Sequence, residues 1–136
     1  MKIRIFLIAI TLLTLAATCD YYDNRLQIKN NSSETITVVF SEDTLLPAGK
    51  NKIITLLLKD KIESGKTVRK NKPGSKNAWP FLIKRSTNQK LNIFFINADT
   101  LSKNNNWTNI KDNQAYERKE YTLNELENNN WLIVYP

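Results

Sequence analysis

The sequence predicts a mainly β fold: a single small β-sandwich-like domain with short connecting helices, standing behind a cleaved signal peptide. Three observations carry this expectation. An apolar run follows two cations at the very start of the chain. Short alternating or β-branched stretches then recur, separated by clusters of Asn, Ser, Gly and Pro. The 136 residues, 41% of them hydrophobic, amount to one domain with one core.

Residues 1–18 read as the leader. Lys2 and Arg4 form a positive head, and Ile5 to Leu15 is apolar apart from Thr11 and Thr14. As a helix this run would rise about 16 Å, roughly half of a hydrocarbon core of about 30 Å. That length suits an export signal and is short for a permanent span. Ala16-Ala17-Thr18 supply the small residues of a cleavage site, and Cys19 follows at once. A cysteine at that point is similar to the pattern of bacterial lipoprotein signals, in which its thiol takes a diacylglycerol and it becomes the new N-terminus. Thr18 departs from the usual Gly, Ala or Ser, and the alternative is ordinary cleavage after Ala17 or Thr18, leaving a free thiol. Residues 19–24 are then expected to be a lipid-anchored tether, and 25–136 the β-rich globular domain.

Within that domain, Arg25 to Asn30 alternates with Leu26 and Ile28 on one face. Asn30-Asn31-Ser32-Ser33 is a turn cluster, and Thr35 to Phe40 alternates again. The two stretches predict a β-hairpin. Lys52 to Leu58, β-branched and leucine-rich, predicts a third strand. Ala78-Trp79-Pro80-Phe81-Leu82-Ile83 predicts a short helix with proline in its first turn. Leu91 to Asn97, five apolar residues in seven, is the clearest strand. Trp107 to Lys111 predicts one helical turn, and Ala115 to Tyr121 a polar, alternating strand suited to an exposed or edge position. Thr122 with Glu125 has capping-box spacing, predicting a helix over Leu123 to Glu127 ended by Asn128 to Asn130. Trp131 to Tyr135 closes the chain as a strand.

Composition excludes much chemistry. There is no histidine and a single cysteine. No His-based triad, His/Cys zinc centre or internal disulfide can be built, and neither a metal nor a cofactor is expected. Carboxylate pairs would be the remaining route to acid–base catalysis. Asp43 with Asp99, and Glu117 with Glu120, have nothing to mark them beyond being acids, so the expectation is a protein that is not an enzyme. Without Lys2 and Arg4 the chain keeps a net charge of +5, and all of that excess falls within Lys59 to Lys76. This stretch has no aromatic residue for base stacking, so no nucleic-acid partner is expected. With Gly65, Pro73 and Gly74 it reads as a solvated loop, with contact to anionic headgroups or glycans as the alternative.

Asp43-Thr44-Leu45 and Asp99-Thr100-Leu101 each follow a predicted strand. Both resemble the O-glycosylation acceptor of exported Bacteroidetes proteins, making Thr44 and Thr100 candidate modification sites. The alternative is turn chemistry, in which Asp or Thr side chains bond nearby backbone. Asn30-Asn31-Ser32, Asn31-Ser32-Ser33 and Asn106-Trp107-Thr108 match an N-glycosylation acceptor, which concerns only eukaryotic secretion. Trp107 and Trp79 are candidate glycan contacts, because an indole face suits a sugar ring. Trp131, beside Leu132, Ile133 and Val134, is assigned to the core.

The second half resembles a family of small uncharacterised lipoproteins of Bacteroidetes. The resemblance is carried by Trp79 to Arg85 (WPFLIKR), Leu91 to Leu101 (LNIFFINADTL), Trp107 to Ile110 (WTNI) and Tyr121 to Pro136 (YTLNELENNNWLIVYP). It implies export, lipid anchoring through Cys19 and a β-rich domain, and it brings no activity. Asp20 and Asp23 loosely resemble the acidic tag that directs some such lipoproteins to the cell surface, although Tyr21 and Tyr22 interrupt it. The expectation is therefore a non-enzymatic binding or structural module of the cell envelope. It would be an outer-membrane lipoprotein facing the periplasm or the cell surface. Its partners would be membrane lipid and either a glycan or an envelope protein, with a glycan-binding accessory module as the alternative.

Overall fold

The computed structural model describes residues 21–104 and 106–136. The leader and Cys19 lie outside the described residues. Strands β1 (Tyr22–Asp23), β2 (Gln27–Asn30) and β3 (Ile36–Ser41) precede helix α1 (Lys52–Lys59). Then come β4 (Thr67–Arg69), β5 (Lys72–Pro73), α2 (Ala78–Arg85) and β6 (Leu91–Asn97). Helices α3 (Ala98–Asn104) and α4 (Trp107–Asp112), β7 (Glu117–Tyr121), α5 (Leu123–Asn128) and β8 (Leu132–Tyr135) complete the order. Helix and strand each take about 30% of the chain, so the expected mainly β sandwich is corrected to a mixed α/β fold.

The strands form three sheets: β3-β6-β7, β4-β2-β8 and the two-stranded β1-β5. The β3-β6-β7 sheet is the wall between two cores. One face of β3 and β6 turns Ile36, Val38, Leu91, Ile93 and Phe95 toward Leu26, Ile28 and Ile133 of the second sheet, and α2 adds Trp79, Leu82 and Ile83 to this core. The other face turns Val39, Phe94 and Ile96 toward Ile54 of α1, Leu101 of α3, and Trp107 and Ile110 of α4. Burial on both faces explains why β6 reads as a nearly continuous apolar run instead of an alternating one.

Several elements form where local chemistry predicts them. Thr122 and Glu125 make the full capping box. The Glu125 N–H donates to Thr122 Oγ1 at 3.2 Å, and the Thr122 N–H donates to Glu125 Oε2 at 2.7 Å. The Thr122 N–H, with its hydroxyl donating to the same Glu125 Oε2 at 2.8 Å, holds the Glu125 carboxyl below its ordinary value of 4.5. A lowered folded-state value means the box stabilises fully above about 4.5 and is lost as pH falls through the lowered value. The difference in melting temperature between the native protein and Glu125→Ala should therefore shrink on acidification below pH 4.5. A difference independent of pH would show that the carboxylate does not cap. β7 is an edge strand as predicted, paired only with β6 in its sheet. Trp131 lies in the first core, and its left-handed backbone, with that of Asn130, ends α5 and turns the chain into β8.

One expected strand and one expected strand pairing fail for identifiable reasons. Lys52–Lys59 is helix, not strand. Ile53, Ile54, Leu57 and Leu58 recur at helical spacing and cover the outer face of the β3-β6-β7 sheet, while Thr55 and Leu56 face solvent. The predicted β2–β3 hairpin does not exist. β2 pairs antiparallel with β4 and parallel with β8, whereas β3 pairs with β6. The turn between them is held by the buried Asn30 side chain. Its Nδ2 donates to Glu34 O at 2.7 Å and to Ile62 O at 3.0 Å, and its Oδ1 accepts from the Ser32 N–H and hydroxyl. Ile36 then bridges to Ile62 instead of to β2.

Candidate functional site

Of the residues singled out from the sequence, the two tryptophans are the clearest corrections. Trp107 is 1% exposed and Trp79 is 2% exposed, so neither offers a face to a sugar. Trp107 lies under the loop that follows β3. Its Nε1 donates to Pro47 O at 2.9 Å, and its backbone N–H donates to Asn51 Oδ1 at 3.1 Å. Gly49 passes so close to the indole that a Cβ there would sit 2.7 Å from Nε1. Gly49→Ala should destabilise by about 1–3 kcal/mol through this clash, read as a lower urea midpoint. An unchanged midpoint would mean that the loop yields freely. Trp79 is anchored by Asp23: its backbone N–H donates to Asp23 Oδ2 at 3.1 Å and its Nε1 to Asp23 O at 3.0 Å.

The two Asp-Thr-Leu triplets have different structures. Thr44 is exposed in a turn, where its N–H donates to Asp43 Oδ1 at 2.6 Å. Thr100 lies half-buried in α3, not in an exposed loop, and its N–H donates to Asn97 Oδ1 at 3.0 Å. The triplets follow opposite ends of an antiparallel pair, since Ser41 faces Asn92 while Ile36 faces Asn97. Five residue steps of about 3.4 Å separate those ends, too far for Asp43 and Asp99 to share a substrate. Glu117 and Glu120 each contact a neighbouring lysine or arginine: Lys119 for the first, Lys90 and Arg118 for the second. The hydrogen bond from Lys90 holds the Glu120 carboxyl below its ordinary range. Among the described residues, no three acids or other ligating side chains gather as a metal would require.

What the structure does build is a basic groove along β5. The stretch Lys59 to Lys76, expected to be one solvated loop, contains β4, β5 and a buried lysine. β4 adds an edge to β2, and β5 pairs with β1, placing Tyr22 opposite Pro73 and Asp23 opposite Lys72. Tyr22 and Asp23, expected to be tether, are therefore part of the fold. A cavity of about 450 Å³ is lined by Phe40, Asp60, Arg69, Lys70, Lys72 and Trp79 among others. A second, of about 290 Å³, adjoins it through Lys72 and Pro73, and is lined also by Glu42, Phe81 and Arg85.

The acids of both cavities are engaged. Lys70 Nζ lies 2.6 Å from Asp60 Oδ2, and Arg85 Nη2 lies 2.9 Å from Glu42 Oε2. Lys72 Nζ stands 5.8 Å from the centre of the Trp79 ring. The floor is closed by the edge-on contact of Phe40 with Trp79, centroids 4.8 Å apart. With cations exceeding acids and the acids already paired, the groove is suited to holding an anion. The charge run in the sequence marks this region, but its division into two strands and a groove depends on pairings with β1 and β2 that the run does not encode.

Among the described residues, no helix is long and apolar enough to cross a membrane. Compared with protein-family models, with curated proteins and with solved structures, the chain matches none of them.

Proposed function

We propose that this chain is a lipid-anchored protein of the cell envelope that works by binding and not by catalysis. The membrane would be held through acylated Cys19, as expected for an outer-membrane lipoprotein. The observation that carries this reading is where the fold begins. Strand β1 starts at Tyr22, three residues after the lone cysteine, and pairs directly with the basic strand β5. An acyl chain contributes about 0.8 kcal/mol per buried methylene, so several chains make release rare. The paired state of Asp60 and Glu42 favours an anion-holding surface over acid–base chemistry. A glycan-binding role resting on Trp107 and Trp79 has no such support, since both indoles are inside the fold.

The test is the intact mass of the protein extracted from its native membrane. A chain beginning at Cys19 and carrying acyl groups is the expected result. Any sugar-sized increment would point first to the exposed Thr44. An unmodified chain beginning near residue 18 or 19 would remove the anchor from this proposal.

A further inference from the structure

Six large apolar side chains stand out in solvent among the described residues, and three of them flank one turn. Tyr21 is 58% exposed, Tyr22 50% and Phe81 59%. Tyr22 is the strand partner of Pro73, and the Gly74 N–H donates to Tyr21 O at 2.9 Å. Phe81 lines the same cavity as Pro73 and Gly74. The turn carries Lys76, and Lys72 precedes it in β5; neither has an ion-pair partner among the described residues. Its acids are taken: Asp23 is buried against Arg25, with 2.9 Å between carboxylate and guanidinium, and Glu42 pairs with Arg85. The Arg85 guanidinium lies 5.4 Å from the centre of the Phe81 ring.

Aromatic rings beside cations are the composition of a surface that rests at the level of lipid headgroups. Position selects the occupant. Cys19 precedes Tyr21 by two residues, a span of at most about 7 Å. A diacylglyceryl group on that cysteine would bring this turn within roughly one Debye length of the bilayer, about 8 Å at physiological salt. We propose that the turn joining β5 to α2, with Tyr21, Tyr22 and Phe81, seats the domain on the anionic headgroups of the membrane in which Cys19 is anchored. The inference deepens the proposed anchoring and rests on it. Seating fixes the orientation of the domain, with Lys72 at the boundary between the lipid surface and the larger groove.

The experiment uses the full mature protein in vesicles of phosphatidylglycerol and phosphatidylcholine containing a doxyl-lipid quencher. Acylation consumes the only native thiol, so a cysteine introduced by Ser75→Cys in the turn, or by Thr55→Cys on α1, is the single site for a fluorophore. The label at 75 should be strongly quenched and the label at 55 spared. Lys72→Gln and Lys76→Gln should each lower the seated-to-free ratio about fivefold, from about 1 kcal/mol per cation near an anionic surface. Equal quenching at both positions in protein whose mass shows acyl chains would overturn the seating and leave the anchor standing. If the mass shows no acyl chains, the anchor falls. The label at 75 is then read in the Cys19→Ser background on the same vesicles, where quenching keeps the membrane face and its absence overturns it.

Discussion

Trp79→Ala should cost about 3–5 kcal/mol, the range for emptying the site of a large aromatic side chain in a packed core. Domains of this size are commonly stable by only about 5–15 kcal/mol in all, so much of the protein would unfold under mild conditions. The cost has two physical parts. The indole fills space among Ile83, Leu82 and the inner face of the β3-β6-β7 sheet, with its ring against Phe40. Its Nε1 also satisfies Asp23 O at 3.0 Å, which ties the β1-β5 ribbon to α2. Trp79→Phe separates the two, keeping most of the apolar volume while leaving a buried acceptor without its donor, at about 1–3 kcal/mol. Urea titration of the three proteins orders them native, Phe, Ala. A loss below 1 kcal/mol for Trp79→Ala would mean that the core does not depend on this ring. Any loss of membrane seating in that variant would follow from loosening of the ribbon, so it is not a probe of the lipid contact.

Asn30→Leu should be the second large effect, although it exchanges a polar side chain for an apolar one of similar size at a fully buried position. The side chain makes four hydrogen bonds, two donated and two accepted. Leucine removes all four bonds, each worth a net of about 0.5–1.5 kcal/mol, and so releases the Asn30–Glu34 turn, although the Ile62 carbonyl keeps the Ile36 N–H at 3.0 Å. Asn30→Asp gives a signed test. It keeps the acceptor and removes the donor while burying a carboxyl, which raises that group's folded-state pKa. A raised value contributes stability below the unfolded pKa of about 3.9 that is lost as pH rises through the folded value. The aspartate variant should therefore lose stability relative to native protein on going from pH 4 to pH 7. Equal stability of native and leucine forms would show that water satisfies these groups.

Local chemistry made part of this fold legible. Thr122 and Glu125 encode their helix start because each side chain bonds the other's backbone within four residues. Pro80 in the first turn of α2 and the apolar density of β6 work in the same way, needing only a neighbouring turn or a long run of buried positions. The candidate site was half legible. The excess of cations over Lys59 to Lys76 was plain, but Trp107 looked available because asparagines surround it in sequence. Its true cover, Gly49 and Pro47, comes from more than fifty residues away.

By itself the sequence determined the charge run, the absence of histidine chemistry, the position of the lone cysteine and the elements whose signals are local. Tertiary structure alone decided that Lys52–Lys59 is a helix, because the short stretch Ile53 to Leu58, apolar but for Thr55, satisfies both periods until a sheet face needs covering. It also decided that β2 leaves β3 for β8. A parallel pairing between the beginning and the end of the chain has no local signature, since its hydrogen bonds and apolar contacts exist only once both sheets have closed on the same core.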